Sequence, residues 1–209
     1  MAERARQTGS TQPSGTLVPS GTLVAVVGPS GAGKDSLIQF AMAHFSGRPE
    51  VHLVQRVITR ASDAGGEDHV AVSAAGFEAQ QAAGDFAVHW DAHGLRYGIP
   101  ASVQDQLAQG HLVLANGSRS VLDLFHRAFP TLLVVNVTAR PEVLAKRLEA
   151  RGRESVADIE ARLKRGGSLS IPAQYNCLTI DNSGPLEEGG RKLVAALEEL
   201  LADRAAQQS

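Results

Sequence analysis

The chain has 209 residues, of which 43% are hydrophobic and 20% are charged, and its formal net charge is −2. These values fit one globular domain and exclude disorder, collagen and coiled coil for the whole chain. The near-neutral charge gives no case for nucleic-acid binding, and no apolar run approaches the roughly 18 residues of a membrane span. The first twenty residues lack a signal-peptide stretch, and the single cysteine, Cys177, cannot form an internal disulfide. We therefore expect a cytoplasmic protein.

Strand and helix patterns alternate along the chain. Residues 1–20 are polar and aperiodic, which predicts a disordered tail before a single domain over 21–209. The apolar run Thr22–Val27 predicts a buried strand, and the next helix, over 33–45, carries Leu37, Ile38, Ala41 and Phe45 on one face. Further strands are expected at 51–58, 111–115, 131–137 and 177–180, and further helices at 74–83, 121–129, 141–150, 156–165 and 186–203. This alternation predicts an α/β fold, a five-stranded parallel sheet with helices on both faces.

A phosphate-binding motif lies between the first strand and the first helix. The segment from Gly28 to Lys34 (GPSGAGK) fits G-x-x-x-x-G-K in the strand–loop–helix context that the motif requires. Its glycines let backbone N–H groups converge on phosphate oxygens, and Lys34 adds a point charge. The motif therefore predicts a P-loop kinase fold that binds ATP. The expected nucleotide-binding residues are Gly28, Pro29, Ser30, Gly31, Ala32, Gly33, Lys34, Asp35 and Ser36.

The residue after Lys34 departs from the usual pattern. Ser or Thr normally follows the lysine and ligates Mg²⁺, but here Asp35 follows and Ser36 comes after it. A carboxylate beside bound triphosphate repels it unless a cation lies between them. We therefore expect Asp35 to help hold Mg²⁺, directly or through water. In the alternative, Asp35 caps the helix while Ser36 or water serves the metal.

Later motifs resemble the guanylate kinase family over about residues 22–203. They are Thr59-Arg60, Gly66-Glu67, Phe77-Glu78, Tyr97-Gly98, Arg147-Leu148, Arg151-Gly152 and Arg162-Leu163. The resemblance implies an acceptor-binding insertion over 56–100 and a helical lid over 147–165. Arg151 and Arg162 of that lid would be catalytic together with Lys34, by stabilising charge on the transferring phosphoryl group. It also implies that Asn182 contacts the nucleotide base, with an ordinary turn as the alternative.

Several positions depart from the guanylate kinase pattern. Arg56 stands at about the position where that family has a serine that helps to read guanine, and the third strand ends in Asn116-Gly-Ser-Arg119 instead of an acidic residue. These departures resemble the ribose 1,5-bisphosphate phosphokinases of phosphonate breakdown. That resemblance implies ATP-dependent conversion of ribose 1,5-bisphosphate to 5-phosphoribosyl 1-diphosphate (PRPP) and ADP. The alternatives are a guanylate kinase with GMP as acceptor and a non-catalytic scaffold.

The expected acceptor site is rich in arginine, and small molecules are the expected partners. Arg56 and Arg119 beside Arg60 suit a second phosphate, while Glu67 and His69 suit sugar hydroxyls. The full expected acceptor set is Arg56, Arg60, Glu67, His69, Tyr97, Asn116 and Arg119. Arg96 is a further candidate, with a surface ion pair as its alternative. The histidine spacings fit no zinc motif. The sequence is compatible with a homodimer but indicates no interface.

Overall fold

A computed structural model describes residues 21–61, 67–150 and 170–208. The expected tail over 1–20, the lid arginines Arg151 and Arg162, and most of the expected lid lie outside these residues. The strands are β1 (Thr22–Val27), β2 (Val51–Leu53), β3 (Val57–Ile58), β4 (Val70–Ala71), β5 (Phe86–Ala92), β6 (Leu95–Pro100), β7 (Leu112–Asn116), β8 (Leu132–Thr138) and β9 (Cys177–Asp181). The helices are α1 (Lys34–His44), α2 (Ala74–Ala83), α3 (Val103–Ala108), α4 (Leu122–Ala128), α5 (Pro141–Ala150) and α6 (Leu186–Gln208).

The main sheet has five strands in the order β2-β7-β1-β8-β9, and every neighbouring pair is parallel. Its central strand β1 is buried along its whole length, as its apolar sequence predicts. Because all five strands run the same way, their carboxyl ends meet at one edge, where ligands bind in open α/β sheets. The predicted five-stranded parallel sheet is confirmed.

Helices cover both faces of this sheet, as predicted. Val24 and Val26 of β1 face a core that includes Leu37 of α1 and Leu193 of α6. The alternating residues of β1 face a second core, which includes Phe125 of α4 and Val103, Val88 and Ile99 of other elements. The alternation follows from the two-residue period of a strand. Within the ranges that the structure describes, no helix is both long and apolar enough to cross a bilayer.

The expected strand over 51–58 is wrong in one respect, because its two ends belong to different sheets. β2 pairs with β7 in the main sheet, whereas β3 pairs with β6 and β4 in a smaller sheet of order β4-β3-β6-β5. The break falls at Gln55 and Arg56, two polar residues within the apolar run. A charged side chain there cannot continue into the core of the main sheet.

A β-hairpin that the sequence reading missed forms most of the smaller sheet. β5 and β6 pair antiparallel, and the turn between them has positive φ at His93 (54°) and Gly94 (73°). Two consecutive positive φ values define the turn type that suits a two-residue hairpin. The sequence does carry a signal for strand β5, because apolar Val88 and Trp90 alternate with polar His89 and Asp91. In the structure the two apolar residues are buried and the two polar residues are exposed. The small sheet stands within the expected insertion over 56–100.

Candidate active site

The phosphate loop begins where β1 ends and leads directly into α1. Gly31 and Gly33 adopt positive φ values of 83° and 87°, which turn the backbone sharply before the helix starts at Lys34. The Lys34 Nζ donates to the carbonyl oxygens of Gly28 at 3.1 Å and Pro29 at 3.2 Å. The ammonium group therefore lies against the loop that it is expected to serve.

Two side chains from elements later in the chain hold this loop. Asn182 directly follows β9 and is 3% exposed. Its Nδ2 donates to the Ala32 carbonyl at 2.8 Å. Arg147 of α5 donates to the Asn182 carbonyl at 2.9 Å and to the carbonyls of Gly31 and Ala32 at 3.4 Å. A Cβ on Gly33 would lie 2.4 Å from the Asn182 Nδ2, so only glycine fits beside this clamp. The role of Asn182 as a base contact stays a prediction.

A polar cleft of about 260 Å³ runs from the phosphate loop to the small sheet. One wall is the loop and the start of α1, and the other is formed by the expected acceptor region and the end of β7. The cleft brings together eleven of the expected site residues with additional ones. It is lined by Gly28, Ser30, Gly31, Gly33, Lys34, Asp35, Arg56, Arg60, Glu67, Trp90, Ala92, His93, Tyr97, Asn116, Gly117 and Ser118.

Arg56 is not left open for a phosphate in this arrangement, because Glu67 holds its guanidinium. The Arg56 Nε donates to Glu67 Oε2 at 3.2 Å, and Nη2 makes a close ion pair with Oε1. The guanidinium also lies over the rings of Trp90 and Tyr97. Glu67, expected to contact a sugar hydroxyl, thus has an ion-pair partner that the sequence did not reveal.

Asn116 connects this ion pair to the phosphate loop. Its Nδ2 donates to Asp35 Oδ1 at 2.5 Å and approaches Glu67 Oε2 at 3.4 Å. Two carboxylates and one amide thus meet at the carboxyl end of β7. Such oxygen-bearing groups suit Mg²⁺, which is usually held by one or two carboxylates together with substrate phosphates. Among the described residues, no three His, Cys, Asp or Glu side chains are grouped to hold a metal on their own.

Arg60 and His69 form a second cluster on the acceptor side. The Arg60 Nη2 lies 3.3 Å from the His69 Nδ1, and the His69 Nε2 lies 3.2 Å from the Arg60 carbonyl oxygen. The Arg60 Nε is buried and has no hydrogen-bond partner in the described part of the chain. Arg60 also lines the cleft, so this guanidinium is the acceptor-side cation that faces Lys34 across it without an ion-pair partner among the described residues.

The remaining expected residues lie around the cleft. Arg119 begins a single turn of 3-10 helix after β7 and is half-buried, and burial lowers the pKa of its guanidinium, which stays charged at neutral pH. Arg96 pairs instead with Glu78 at 2.9 Å and Asp91 at 3.7 Å, which is the surface alternative considered for it. Ser36 lines a separate cavity of about 290 Å³, whose walls also include Gly31, Gly33, Arg147, Ala150, Asn182 and Leu186.

Several contributors to the site were missing from the expected set, and three of them are informative: Trp90, His93 and Arg147. Trp90 and His93 come from the unpredicted hairpin, and their place could have been found from its alternating pattern and its turn. The sequence predicts Arg147 only as part of the lid motif, whereas in the structure it contacts the phosphate loop. A local pattern on α5 gives no sign of a partner that lies over a hundred residues earlier in the chain.

Comparison with known proteins gives several relatives named ribose 1,5-bisphosphate phosphokinase PhnN. The chain is 58% identical over 181 residues, 87% of this chain and 91% of the relative, to a ribose 1,5-bisphosphate phosphokinase PhnN of Rhizobium etli. It is 53% identical to the protein of the same name from Agrobacterium fabrum, over 85% of this chain and 96% of that one. No family model matches the chain.

Solved structures agree with the fold. A guanylate kinase from Anaplasma phagocytophilum superposes with a TM-score of 0.61 at 18% identity and covers 89% of this chain and 87% of its own. This similarity, the five-stranded sheet and the phosphate loop define a P-loop kinase. The sequence identities of 58% and 53% place the chain in one family within this class. The chain belongs to the ribose 1,5-bisphosphate phosphokinase family.

Proposed function

We propose that the protein transfers the γ-phosphoryl group of ATP to the 1-phosphate of ribose 1,5-bisphosphate, forming 5-phosphoribosyl 1-diphosphate and ADP. An oxygen of the acceptor phosphate forms the new bond to phosphorus, and the bond to the bridging oxygen of ADP breaks. The names of the close relatives support this reaction. The observation that carries it is the single cleft lined on one wall by the Lys34 loop and on the other by Arg60.

The ATP half of the site is assigned to the phosphate loop and the cavity behind it. The triphosphate would lie along the loop, with its negative charge facing Lys34 and the start of α1. The adenine would occupy the cavity of about 290 Å³ beside the loop, which Arg147 and Asn182 line. The adenine assignment rests on the position of this cavity, which shares Gly31 and Gly33 with the phosphate loop.

The acceptor half is assigned to the cluster around Arg60. A sugar bisphosphate carries two phosphate groups and no base, so its recognition needs cations and hydroxyl partners. Arg60 is the first choice for one phosphate, because it lines the cleft and has no ion-pair partner among the described residues. Arg119 is the second choice, and His69, Tyr97 and the oxygens of Glu67 would face the sugar.

Mg²⁺ fits the oxygen groups at the carboxyl end of β7. Asp35 and Asn116 would hold it, and Glu67 lies close to Asn116 at 3.4 Å. When bound, Mg²⁺ neutralises charge on the β- and γ-phosphates of ATP. Asp35 would otherwise repel the triphosphate, so the cation also explains why a carboxylate is tolerated in the loop.

Catalysis in this proposal depends on alignment and charge. The acceptor phosphate is already ionised at neutral pH, so no side chain has to remove a proton from it. Lys34 would stabilise charge on the transferring group from the loop side, and Arg151 and Arg162 would do so from the lid. The roles of the two lid arginines are expectations from the sequence, because they lie outside the described residues.

The proposal is tested by ADP release from Mg-ATP with ribose 1,5-bisphosphate and GMP as parallel acceptors. We expect turnover with the bisphosphate, with the product identified as 5-phosphoribosyl 1-diphosphate by phosphorus NMR. Turnover with GMP alone would refute the assignment of the acceptor and favour the guanylate kinase alternative. ATP binding without transfer to either acceptor would favour a scaffold.

Lys34→Ala is the variant that ties the activity to this cleft. We expect at least about 100-fold lower kcat, because the substitution removes a charge that acts on the transferring group. Circular dichroism and thermal unfolding of the same sample should match the wild type, since the Lys34 Nζ donates to the loop carbonyls of Gly28 and Pro29 at 3.1 and 3.2 Å and the side chain is not part of the core. An unchanged kcat would assign the measured activity elsewhere.

A further inference from the structure

Two aromatic rings close the acceptor end of the cleft. Trp90 of β5 and Tyr97 of β6 are cross-strand partners, and their rings stack at 5.3 Å with an interplanar angle of 10°. Both line the cleft. Aromatic faces of this kind are the usual surfaces on which proteins stack nucleobases, whatever the base. Yet Trp90 is only 7% exposed, so its faces are already covered in this protein.

Arg56 supplies the cover on the cleft side, in addition to the contacts of Trp90 with Tyr97 and Phe125. Its Cζ lies 5.0 Å from the centroid of the Tyr97 ring and 5.8 Å from that of Trp90. A guanidinium is flat and delocalised, so it stacks on aromatic rings much as a base does. One planar group therefore already occupies the aromatic wall, and it belongs to the protein itself.

Glu67 prevents this cover from moving away. Its two carboxylate oxygens receive the Nε and Nη2 of Arg56, which is itself 8% exposed. Asn116 lies within 3.4 Å of the same carboxylate and ties it to Asp35 in the phosphate loop. Swinging Arg56 aside would leave a carboxylate of low exposure without its cation, which is costly. The guanidinium is therefore a fixed part of the wall.

We propose that Arg56 determines acceptor specificity by covering the Trp90–Tyr97 wall, so that acceptors carrying a nucleobase are excluded and a base-free sugar phosphate is admitted. This inference rests on the proposed function only in its choice of acceptor, because the exclusion concerns binding and needs no turnover. In this inference Arg56 determines the shape of the cleft, whereas Arg60 binds phosphate.

The chain contains a single tryptophan, Trp90, so its fluorescence reports on this wall directly. GMP and ribose 5-phosphate are titrated into the wild type, Arg56→Ala and Arg56→Lys, with Arg96→Ala as the matched control. Arg96 lies in the same sheet but pairs with Glu78 and Asp91 at the surface. The double variant Arg56→Ala/Glu67→Ala removes the carboxylate that the single variant leaves unpaired, and circular dichroism confirms that each variant is folded.

We expect saturable quenching by GMP in Arg56→Ala and in the double variant, with a Kd at least about tenfold lower than in the wild type. Arg56→Lys should gain affinity as well, because an ammonium keeps the charge but not the plane. Ribose 5-phosphate has no base and should show no such gain, and Arg96→Ala should behave as the wild type.

Equal GMP affinity in the wild type and in folded variants lacking Arg56 would overturn the inference. A gain of the same size for ribose 5-phosphate would overturn it too, because the effect would then not concern the base. Wild-type turnover of ribose 1,5-bisphosphate, measured separately, keeps the two proposals apart. A wild type inactive on the bisphosphate, with GMP affinity gained in Arg56→Ala, would refute the proposed function and support the role of Arg56.

Discussion

Asp35 occupies the position in the phosphate loop at which a hydroxyl side chain is usual. Its Oδ1 accepts from the Asn116 Nδ2 at 2.5 Å, on the side of α1 that faces the cleft. Ser36, the next residue, lines the separate cavity beside Arg147. The two candidates for the metal therefore point to different spaces, although they are neighbours in sequence.

The two candidates can be separated by titrating Mg²⁺ at saturating ATP. If Asp35 serves the metal, Asp35→Ala raises the Mg²⁺ concentration for half-maximal activity by about tenfold or more, while Ser36→Ala changes it little. Direct binding of Mn²⁺ in place of Mg²⁺, followed by electron paramagnetic resonance, gives a second readout. The reverse ranking of the two variants would transfer the role to Ser36.

Asn182 holds the phosphate loop through one short hydrogen bond to the Ala32 carbonyl. We expect Asn182→Leu, which removes the donor at similar size without adding a charge, to raise the KM for ATP by about 2- to 10-fold, the value of one hydrogen bond. If Asn182 acts only through the loop, kcat/KM for ATP and for GTP should fall by the same factor. A change in the ratio of these two values would show instead that Asn182 contacts the base.

Elements whose own sequence carries their burial pattern were predictable, and elements defined by their partner strands were not. β1 and α1 carry their signal locally, since a buried parallel strand is apolar throughout and α1 repeats apolar residues on one face. The split between β2 and β3 could not be read locally, because the partner strands decide to which sheet each belongs. The same holds for the site. The loop motif identified Lys34, but Arg56 and Glu67 are 11 residues apart in the chain, and no local pattern pairs them.

Strands β2 and β7 carry a pair of histidines near their shared amino-terminal end. The His52 Nε2 lies 2.8 Å from the Nδ1 of His111, the residue before β7, and the rings stack at 4.9 Å. One nitrogen of such a contact must lack a proton, so full protonation opposes the pairing. Burial, and then the neighbouring His111, lower the pKa of His52, while Glu50 acts in the opposite direction.

This pair predicts a loss of stability in mild acid. The folded-state pKa of His52 lies below its unfolded value of about 6.5, so the unfolded chain binds more protons as the pH falls below that value. The contribution is therefore complete above about pH 6.5 and is lost as the pH falls through the folded pKa. Urea unfolding at about pH 7 and about pH 5 should show a smaller decrease for His52→Gln than for the wild type. His89→Gln, at an exposed site on β5, is the control, and equal decreases for all three proteins would contradict the assignment.

Function and stability are separated along the main sheet. The carboxyl ends of its strands carry Asn116, the phosphate loop and Asn182, whereas the amino ends meet the last helix. Near the end of α6, Arg204 is 9% exposed, and its guanidinium donates to the Gly110 carbonyl and, at 3.3 Å, to the His111 carbonyl. Burial lowers the pKa of this guanidinium, which stays charged at neutral pH. The last helix is thereby joined to the turn that starts β7.

Arg204→Ala should therefore reduce the free energy of unfolding and leave catalysis unchanged. Removing the donor leaves the buried Gly110 carbonyl without its partner, which costs about 1–3 kcal/mol. β7 separates this contact from Asn116 at the cleft by about 13 Å of strand, so kcat and both KM values should match the wild type.

Arg191→Ala, at an exposed position of the same helix, should change the free energy of unfolding by no more than about 0.5 kcal/mol. Urea unfolding and steady-state kinetics on the three proteins measure both effects. Equal stability of the two variants would place the anchor of α6 elsewhere, and a fall in kcat for folded Arg204→Ala would show that the two ends of the sheet are coupled.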